Sequence, residues 1–135
     1  MTPLRIVLNV LWLFFGGAAA ALAWFVGGAT LAITIVGLPW AFSAWRIGIY
    51  TLWPFGREVV WRDAATGRED IGTGPIGIVL NVVWFLLAGW WIALGHLLVA
   101  IVEFISIIGI PFALKDLELA KLAVAPVGRT IRDKP

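Results

Sequence analysis

The stretch ITIVGLPWA at residues 33–41 returns as ISIIGIPFA at residues 105–113, 72 positions later. The same offset relates two further pairs of segments: IVLNVLW at 6–12 with IVLNVVW at 78–84, and WPFGR at 53–57 with APVGR at 125–129. Aligned without a gap, 17 of the 52 residue pairs in the two copies are identical. Agreement over that length indicates two copies of one structural unit, an organisation that many membrane proteins share.

The composition of the chain indicates a membrane protein. Of its 135 residues 61% are hydrophobic and 13% are charged, whereas soluble domains carry about 25% charged residues. A domain this small has too much surface to cover with so few charges, and disorder requires the opposite composition. The absence of cysteine excludes disulfides, thiol catalysis and Cys-ligated metal. The net charge of +2 gives no reason to expect a nucleic-acid partner.

Two uncharged runs are long enough for membrane helices. Residues 6–45 contain no Asp, Glu, Lys or Arg, and neither do residues 71–102, after which Glu103 interrupts a run that resumes at 104–114. Because a helix needs roughly 20 apolar residues to cross a bilayer, each run accommodates two crossings joined by a short turn. We expect helices at 6–23, 28–45, 78–95 and 98–114.

The positions of the positive charges predict the topology. All ten Lys and Arg residues lie near the N-terminus, in the central segment or toward the C-terminus, and none lies in the middle of a repeat. Two crossings per repeat place all ten on one face, which the positive-inside rule makes cytoplasmic. We therefore predict an all-α membrane protein of two tandem parallel repeats, each a helical hairpin, with four membrane segments and both termini cytoplasmic. The expected divisions are repeat 1 at 1–57, a cytoplasmic connector at 58–75, repeat 2 at 76–129 and a short tail at 130–135.

The second helix of each repeat contains a helix-breaking motif. Gly37 and Pro39 stand in the first copy, and Gly109 and Pro111 stand at the matching positions of the second. Proline removes a backbone donor and clashes with the preceding turn, so a kink or break is expected at each site. A kinked full-length helix and a re-entrant segment both fit, since they give the same topology.

Three motifs occur in the same order in both repeats: LN-x-x-W, I-x-G-x-P and P-x-G-R. The residues that carry them are Leu8, Asn9, Trp12, Ile35, Gly37, Pro39, Pro54, Gly56 and Arg57, then Leu80, Asn81, Trp84, Ile107, Gly109, Pro111, Pro126, Gly128 and Arg129. This doubled pattern resembles the YccF family of small bacterial inner-membrane proteins, over nearly the whole chain. The resemblance implies a multi-pass inner-membrane protein and supplies no catalytic residues to carry over.

Paired polar residues are the first candidate sites. Asn9 and Asn81 are repeat mates inside apolar helices, where an amide either ties two helices together or lines a polar path. Arg57 and Arg129 follow a Pro-x-Gly turn at the expected headgroup level, where they would anchor the chain to lipid phosphate.

Glu103 is the sharper candidate, because an intramembrane carboxylate is by default a functional hypothesis. His96 precedes it by seven residues, and we expect a turn between the two. If they meet, they form a proton- or cation-binding pair. The alternative is a protonated Glu103 bonded to Ser106 or to nearby backbone, with His96 at the membrane interface.

No catalytic motif, phosphate-binding loop or metal-ligand set occurs in the sequence, so we expect a non-enzyme without cofactor or metal. The expected partners are the lipid bilayer and either further copies of this chain or another membrane protein. The matched polar and Gly-x-Pro positions favour an oligomeric channel or small-ion or solute transport module. The alternative is a non-conducting scaffold or accessory subunit, favoured by the small size and scarce polar residues.

Overall fold

The computed structural model describes residues 2–134, and most of them are helical. In chain order the elements are α1 (Pro3–Ile33), α2 (Leu38–Leu52), β1 (Arg57–Trp61), α3 (Arg62–Thr66), α4 (Pro75–Ile105), α5 (Ile110–Val124) and β2 (Arg129–Asp133). The chain forms two compact units, one comprising residues up to Leu80 together with those from Pro126, the other comprising Asn81–Ala125. Helices α1 and α2 form one hairpin and α4 and α5 form another, as the sequence repeat predicts.

Each hairpin reverses about ten residues later than the sequence led us to expect. Helices were expected to end near residues 23 and 95, but α1 continues to Ile33 and α4 continues to Ile105. The turns expected at 24–27 and 96–97 are therefore wrong. Apolar residues and tolerated glycines fill those stretches, and nothing in them ends a helix. The Gly-x-Pro motif supplies the reversal instead, so it joins two helices rather than kinking one.

The turn between α1 and α2 explains every residue of the I-x-G-x-P motif. Ile35 takes a left-handed conformation with φ of 63°, which reverses the chain. A Cβ at Gly37 would lie 2.5 Å from the carbonyl oxygen of Leu31, so no side chain fits there. Pro39 occupies the first turn of α2, where a missing N–H costs nothing. The second tip repeats this geometry, with φ of 65° at Ile107.

Tryptophan side chains tie the two helices of each hairpin. The indole nitrogen of Trp12 donates to the carbonyl oxygen of Thr51 at 2.7 Å, and that of Trp84 donates to Ala123 at 2.7 Å. A π-helical turn follows each indole, at Leu13–Gly17 and at Phe85–Gly89. The glycine that ends each π turn lies against the indole, where a Cβ would overlap the ring.

The only strands among residues 2–134 follow the two P-x-G-R motifs. Gly56 and Gly128 both have φ of 94°, which a glycine adopts without strain, and each turn leads directly into a strand. Strands β1 and β2 pair antiparallel, with Arg57 opposite Asp133 and Trp61 opposite Arg129. No strand was expected from the sequence, because the paired residues lie 68 to 76 positions apart and neither segment shows a clear apolar alternation.

Most of the apolar surface of the hairpins has no protein partner. Helices α1 and α4 are each 31 residues long, and their most apolar windows are only 22% and 11% buried. By length and composition both could cross a membrane. The tips are the most exposed parts, with Ile33 at 82% and Ile108 at 88%. Surface of this kind is stable only in contact with lipid or with another protein.

Candidate functional site

A cluster of ionisable side chains lies between α4 and α5. His96 Nδ1 lies 2.8 Å from Oδ1 of Asp116, whose side chain is only 8% exposed. The carboxyl of Asp116 also interacts electrostatically with that of Glu103, and Oε1 of Glu103 is buried with no hydrogen-bond partner among the described residues. Imidazole and carboxyl groups can each accept and donate a proton. The arrangement can therefore hold and pass a proton.

Asp116 is the residue that sequence reasoning missed. The expected turn between His96 and Glu103 is absent, because both lie on α4, and α5 supplies the group that joins them. Ser106, expected as a partner of the Glu103 carboxyl, donates instead to the main-chain carbonyl of Glu103 at 2.6 Å. The signal for Asp116 in the sequence was its negative charge, but no role was predicted for it.

The cluster belongs to the second repeat alone. In the first repeat, 72 positions earlier, Trp24 stands in place of His96, Leu31 in place of Glu103 and Ala44 in place of Asp116. These mates are all apolar, so the hairpin fold does not require polar residues at these positions. No group of three or more His, Cys, Asp or Glu residues is arranged to hold a metal ion within residues 2–134.

A second polar pair lies beside an apolar groove on the same hairpin. Lys115 Nζ lies 3.3 Å from Glu118, with the lysine side chain only 6% exposed. The groove has a volume of about 700 Å³ and runs between α4 and α5, where Trp90, Leu97 and Leu114 contribute to its wall.

The two repeat-mate asparagines, Asn9 and Asn81, differ in burial. Asn9 is fully buried, and its amide makes two bonds to Phe55: Nδ2 donates to the carbonyl oxygen at 2.8 Å and Oδ1 accepts the backbone N–H at 2.8 Å. These two hydrogen bonds fix the segment after α2 against α1. Asn81 is half-buried on α4.

Arginines converge where the strands meet the helices of the first unit. Arg46 Nη1 on α2 and Arg62 Nη1 on α3 both donate to the carbonyl oxygen of Arg129, at 2.6 and 3.1 Å. Asp70 accepts from Arg62 through both oxygens, at 2.9 and 3.1 Å. The Arg62 guanidinium thereby lowers the pKa of the Asp70 carboxyl from 3.8 to about 2.

The two predicted anchor arginines make contacts within the chain. Arg57 Nε lies 3.7 Å from Asp133, and the guanidinium of Arg129 stacks 3.7 Å from the centre of the Trp61 ring. Both contacts join the two strands, so these arginines hold the sheet together whatever else they bind.

Each of the two repeats matches the same family model. The inner membrane component domain of the YccF family matches residues 7–57 and again residues 79–129. The chain belongs to the YccF family. It is 37% identical over 129 residues to the inner membrane protein YccF of Escherichia coli K12, covering 95% of this chain and 87% of that protein. The same figures hold for the inner membrane protein YccF of Shigella flexneri. No solved structure matches the chain.

The YccF domain boundaries coincide with structural ones. Each matched segment begins in the first helix of a hairpin and ends on the arginine of a P-x-G-R motif, Arg57 or Arg129, which is the first residue of a strand. One YccF domain is therefore a helical hairpin, its Gly-x-Pro tip and the turn into a strand. The names of the relatives support a location in the bacterial inner membrane.

Proposed function

We propose that this YccF-family protein is a non-catalytic membrane scaffold whose two hairpins enter the bilayer from the cytoplasmic side and turn back within the hydrocarbon. Such a protein forms no pore by itself and serves further copies of the chain or a membrane partner. The observation that carries the proposal is the short distance between each hairpin tip and the charged residues of the returning helix.

In the first hairpin that distance is set by Arg46. It follows Gly37 by nine residues, or about 13 Å of helix, and it is bonded to the backbone of β2. The hydrocarbon of a bilayer is about 30 Å thick. A tip at the far surface would hold Arg46, and with it the bonded edge of the sheet, near the centre of the hydrocarbon. A tip within the hydrocarbon leaves both at the headgroups.

The second hairpin supports the same conclusion independently. Glu118 is the repeat mate of Arg46 and follows Gly109 by nine residues. Helix α5 has 15 residues, a length of about 22 Å, which is shorter than the hydrocarbon. Lys115 and Asp116 lie closer still to the tip. A full crossing would place all these charges where charge is most costly.

The tips are built to tolerate hydrocarbon. In the first, Thr34 N–H bonds Leu31, Ile35 N–H bonds Ala32, and the two next amides bond within the turn. Irregular backbone at membrane depth is otherwise costly, since each unsatisfied group costs several kcal/mol. Neither tip turn, at 34–37 or 106–109, contains a charged or aromatic residue. Tips that reach an interface usually carry such residues.

The orientation follows from the positive charges. All ten Lys and Arg residues lie outside the two tips, and the positive-inside rule assigns their face to the cytoplasm. Both termini are then cytoplasmic, as is the segment between the hairpins.

The chain is suited to a labelling test because it has no cysteine. Single cysteines would replace Val36 and Ile108 at the tips, and Ala65 in α3 as the matched control. In right-side-out and inverted vesicles, a membrane-impermeant maleimide should label only the control, and only from the cytoplasmic side. Labelling of either tip from the periplasmic side would overturn the proposal and support full crossings.

The ionisable cluster favours a second candidate, an oligomeric module that moves protons or small cations. His96, Asp116 and Glu103 offer a chain of exchangeable protons, and one oxygen of Glu103 has no hydrogen-bond partner among the described residues. In proteoliposomes, proton flux that Glu103→Gln abolishes without changing assembly would support this candidate. Absence of flux in the unaltered protein would favour the scaffold.

A further inference from the structure

The first unit contains a pocket that the proposed scaffold role does not use. It has a volume of about 320 Å³ and lies between α2, the beginning of α4, the segment before α4 and the turn before β2. Trp40 ties α2 to the beginning of α4 at this pocket, since its indole nitrogen donates to the carbonyl oxygen of Leu80 at 3.0 Å. The lining combines two guanidiniums with an apolar wall, formed by Arg46, Arg62, Phe42, Ile71 and Leu80.

The charges in the pocket are unbalanced. Arg62 is neutralised by its two bonds to Asp70. Within residues 2–134, no carboxylate oxygen is found within 4.0 Å of the Arg46 guanidinium, although that side chain is half-buried. An arginine has five N–H donors, and Arg46 gives one to Arg129. Most of its donors, with their positive charge, therefore remain available to a ligand.

Glycines at two positions make the pocket possible. A Cβ at Gly72 would overlap the Arg62 guanidinium, which lies directly against the backbone there. Gly128 has φ of 94°, and a Cβ on it would lie 2.5 Å from the carbonyl oxygen of Gly72. The segment before α4 and the turn before β2 can approach this closely only because both residues are glycine. The two arginines are thus held by packed backbone and not by a flexible surface.

We propose that this pocket binds a phosphate group, supplied by an anionic phospholipid. Planar guanidinium matches phosphate oxygens in geometry as well as in charge. The ligand must also present apolar surface to Phe42, Ile71 and Leu80, which a phospholipid does beside its headgroup. The cytoplasmic leaflet is the anionic one. This inference rests on the proposed depth of the hairpins, which leaves Arg46 at the headgroups, and the cysteine labelling described above tests that depth separately.

The test is lipid retention measured by native mass spectrometry of the full-length protein released from nanodiscs. With phosphatidylglycerol, the unaltered protein should retain lipid, and Arg46→Gln should weaken that retention at least tenfold, since hydrogen bonds to charged groups are worth roughly 1.5–3 kcal/mol. Arg68→Gln is the matched control, because it removes the same charge from the exposed connector outside the pocket. Arg46→Lys, which keeps the charge but loses the fork, should give an intermediate result.

Competition identifies the source of the phosphate. If phosphatidylglycerol stays bound in the presence of inorganic phosphate, the ligand is the lipid; if inorganic phosphate displaces it, the pocket recognises the phosphate alone. Equal loss of retention in Arg46→Gln and Arg68→Gln would overturn the proposal, as would equal retention of phosphatidylcholine and phosphatidylglycerol. Thermal unfolding of each variant separates loss of the pocket from loss of the fold.

Discussion

Thr34 and Ser106 make the same pair of hydrogen bonds at the two hairpin tips. The hydroxyl of Thr34 donates to the carbonyl oxygen of Leu31 at 2.6 Å and accepts the N–H of Gly37 at 3.1 Å. The hydroxyl of Ser106 donates to Glu103 at 2.6 Å and accepts from Gly109 at 3.1 Å. In each tip one side chain thus satisfies a glycine N–H that the reversal of the backbone would leave without a partner.

Removing either hydroxyl should destabilise its hairpin. Thr34→Val and Ser106→Ala each leave a glycine N–H without a partner in apolar surroundings, at a cost of roughly 1–3 kcal/mol. Thermal unfolding in nanodiscs measures the loss. Thr30→Val is the control: the Thr30 hydroxyl donates to Val26 inside a helix, so removing it orphans no amide. Equal destabilisation by all three variants would contradict the role given to the tip hydroxyls.

Gly89→Ala should destabilise the second hairpin by about 1–3 kcal/mol, because the added Cβ would lie 2.8 Å from the indole of Trp84 and 2.6 Å from the carbonyl oxygen of Ala123. Gly95→Ala is the matched change on the same helix. A Cβ there meets nothing within 4 Å, so this variant should gain up to about 1 kcal/mol from helix propensity. Thermal unfolding of both variants decides whether packing requires the glycine that ends the π turn.

The ionisable cluster should respond to substitution as a unit. Asp116→Ala alone leaves His96 and Glu103 without the side chain that joins them, and leaving a buried polar group without its partner costs roughly 1–3 kcal/mol. Replacing all three by their repeat mates, His96→Trp, Glu103→Leu and Asp116→Ala, should restore most of that stability. Chemical unfolding of both variants tests this. A triple variant less stable than Asp116→Ala would show that the cluster has a structural role.

Acid should release the segment before α4 from α3. The pKa of Asp70 falls from 3.8 to about 2 in the folded chain, chiefly through its hydrogen bond to Arg62. A lowered pKa means that the contribution of this contact to stability is complete above pH 3.8 and is lost as the pH falls toward 2. The amide of Gly72, which donates to Asp70 at 2.8 Å, reports the change by NMR. Its titration should disappear in Asp70→Asn, and a midpoint near 3.8 would contradict the account.

The sequence repeat predicted the hairpins correctly but not where they turn. The turns were expected at 24–27 and 96–97, whereas the residues with turn chemistry were those of the Gly-x-Pro motif. A proline in the first turn of a helix and a proline that kinks one look alike in sequence. The two cases are distinguished here at Gly37, where the carbonyl oxygen of Leu31 leaves no space for a side chain. That contact exists only in the folded chain.

Long-range pairing accounts for what sequence reasoning missed at the sites. Glu103 and His96 stood out as polar residues in apolar runs, but Asp116, which joins them, lies on the other helix of the hairpin. No role was predicted for Arg46, the charged residue that follows the first uncharged run. Only the packing of α2 beside the turn before β2 brings it to Arg129. Residues that act through a partner far along the chain have no local signature.

The central claim is that each hairpin turns back inside the hydrocarbon, and membrane depth tests it most directly. Nitroxide labels would replace lipid-exposed residues along the first hairpin, namely Leu22, Val26, Ile33 and Val36. Electron paramagnetic resonance would then compare collision rates with oxygen and with a water-soluble nickel chelate. The account predicts that depth increases steadily from residue 22 to a maximum at residue 36. A maximum between 22 and 26, followed by return to an aqueous environment at 36, would contradict it.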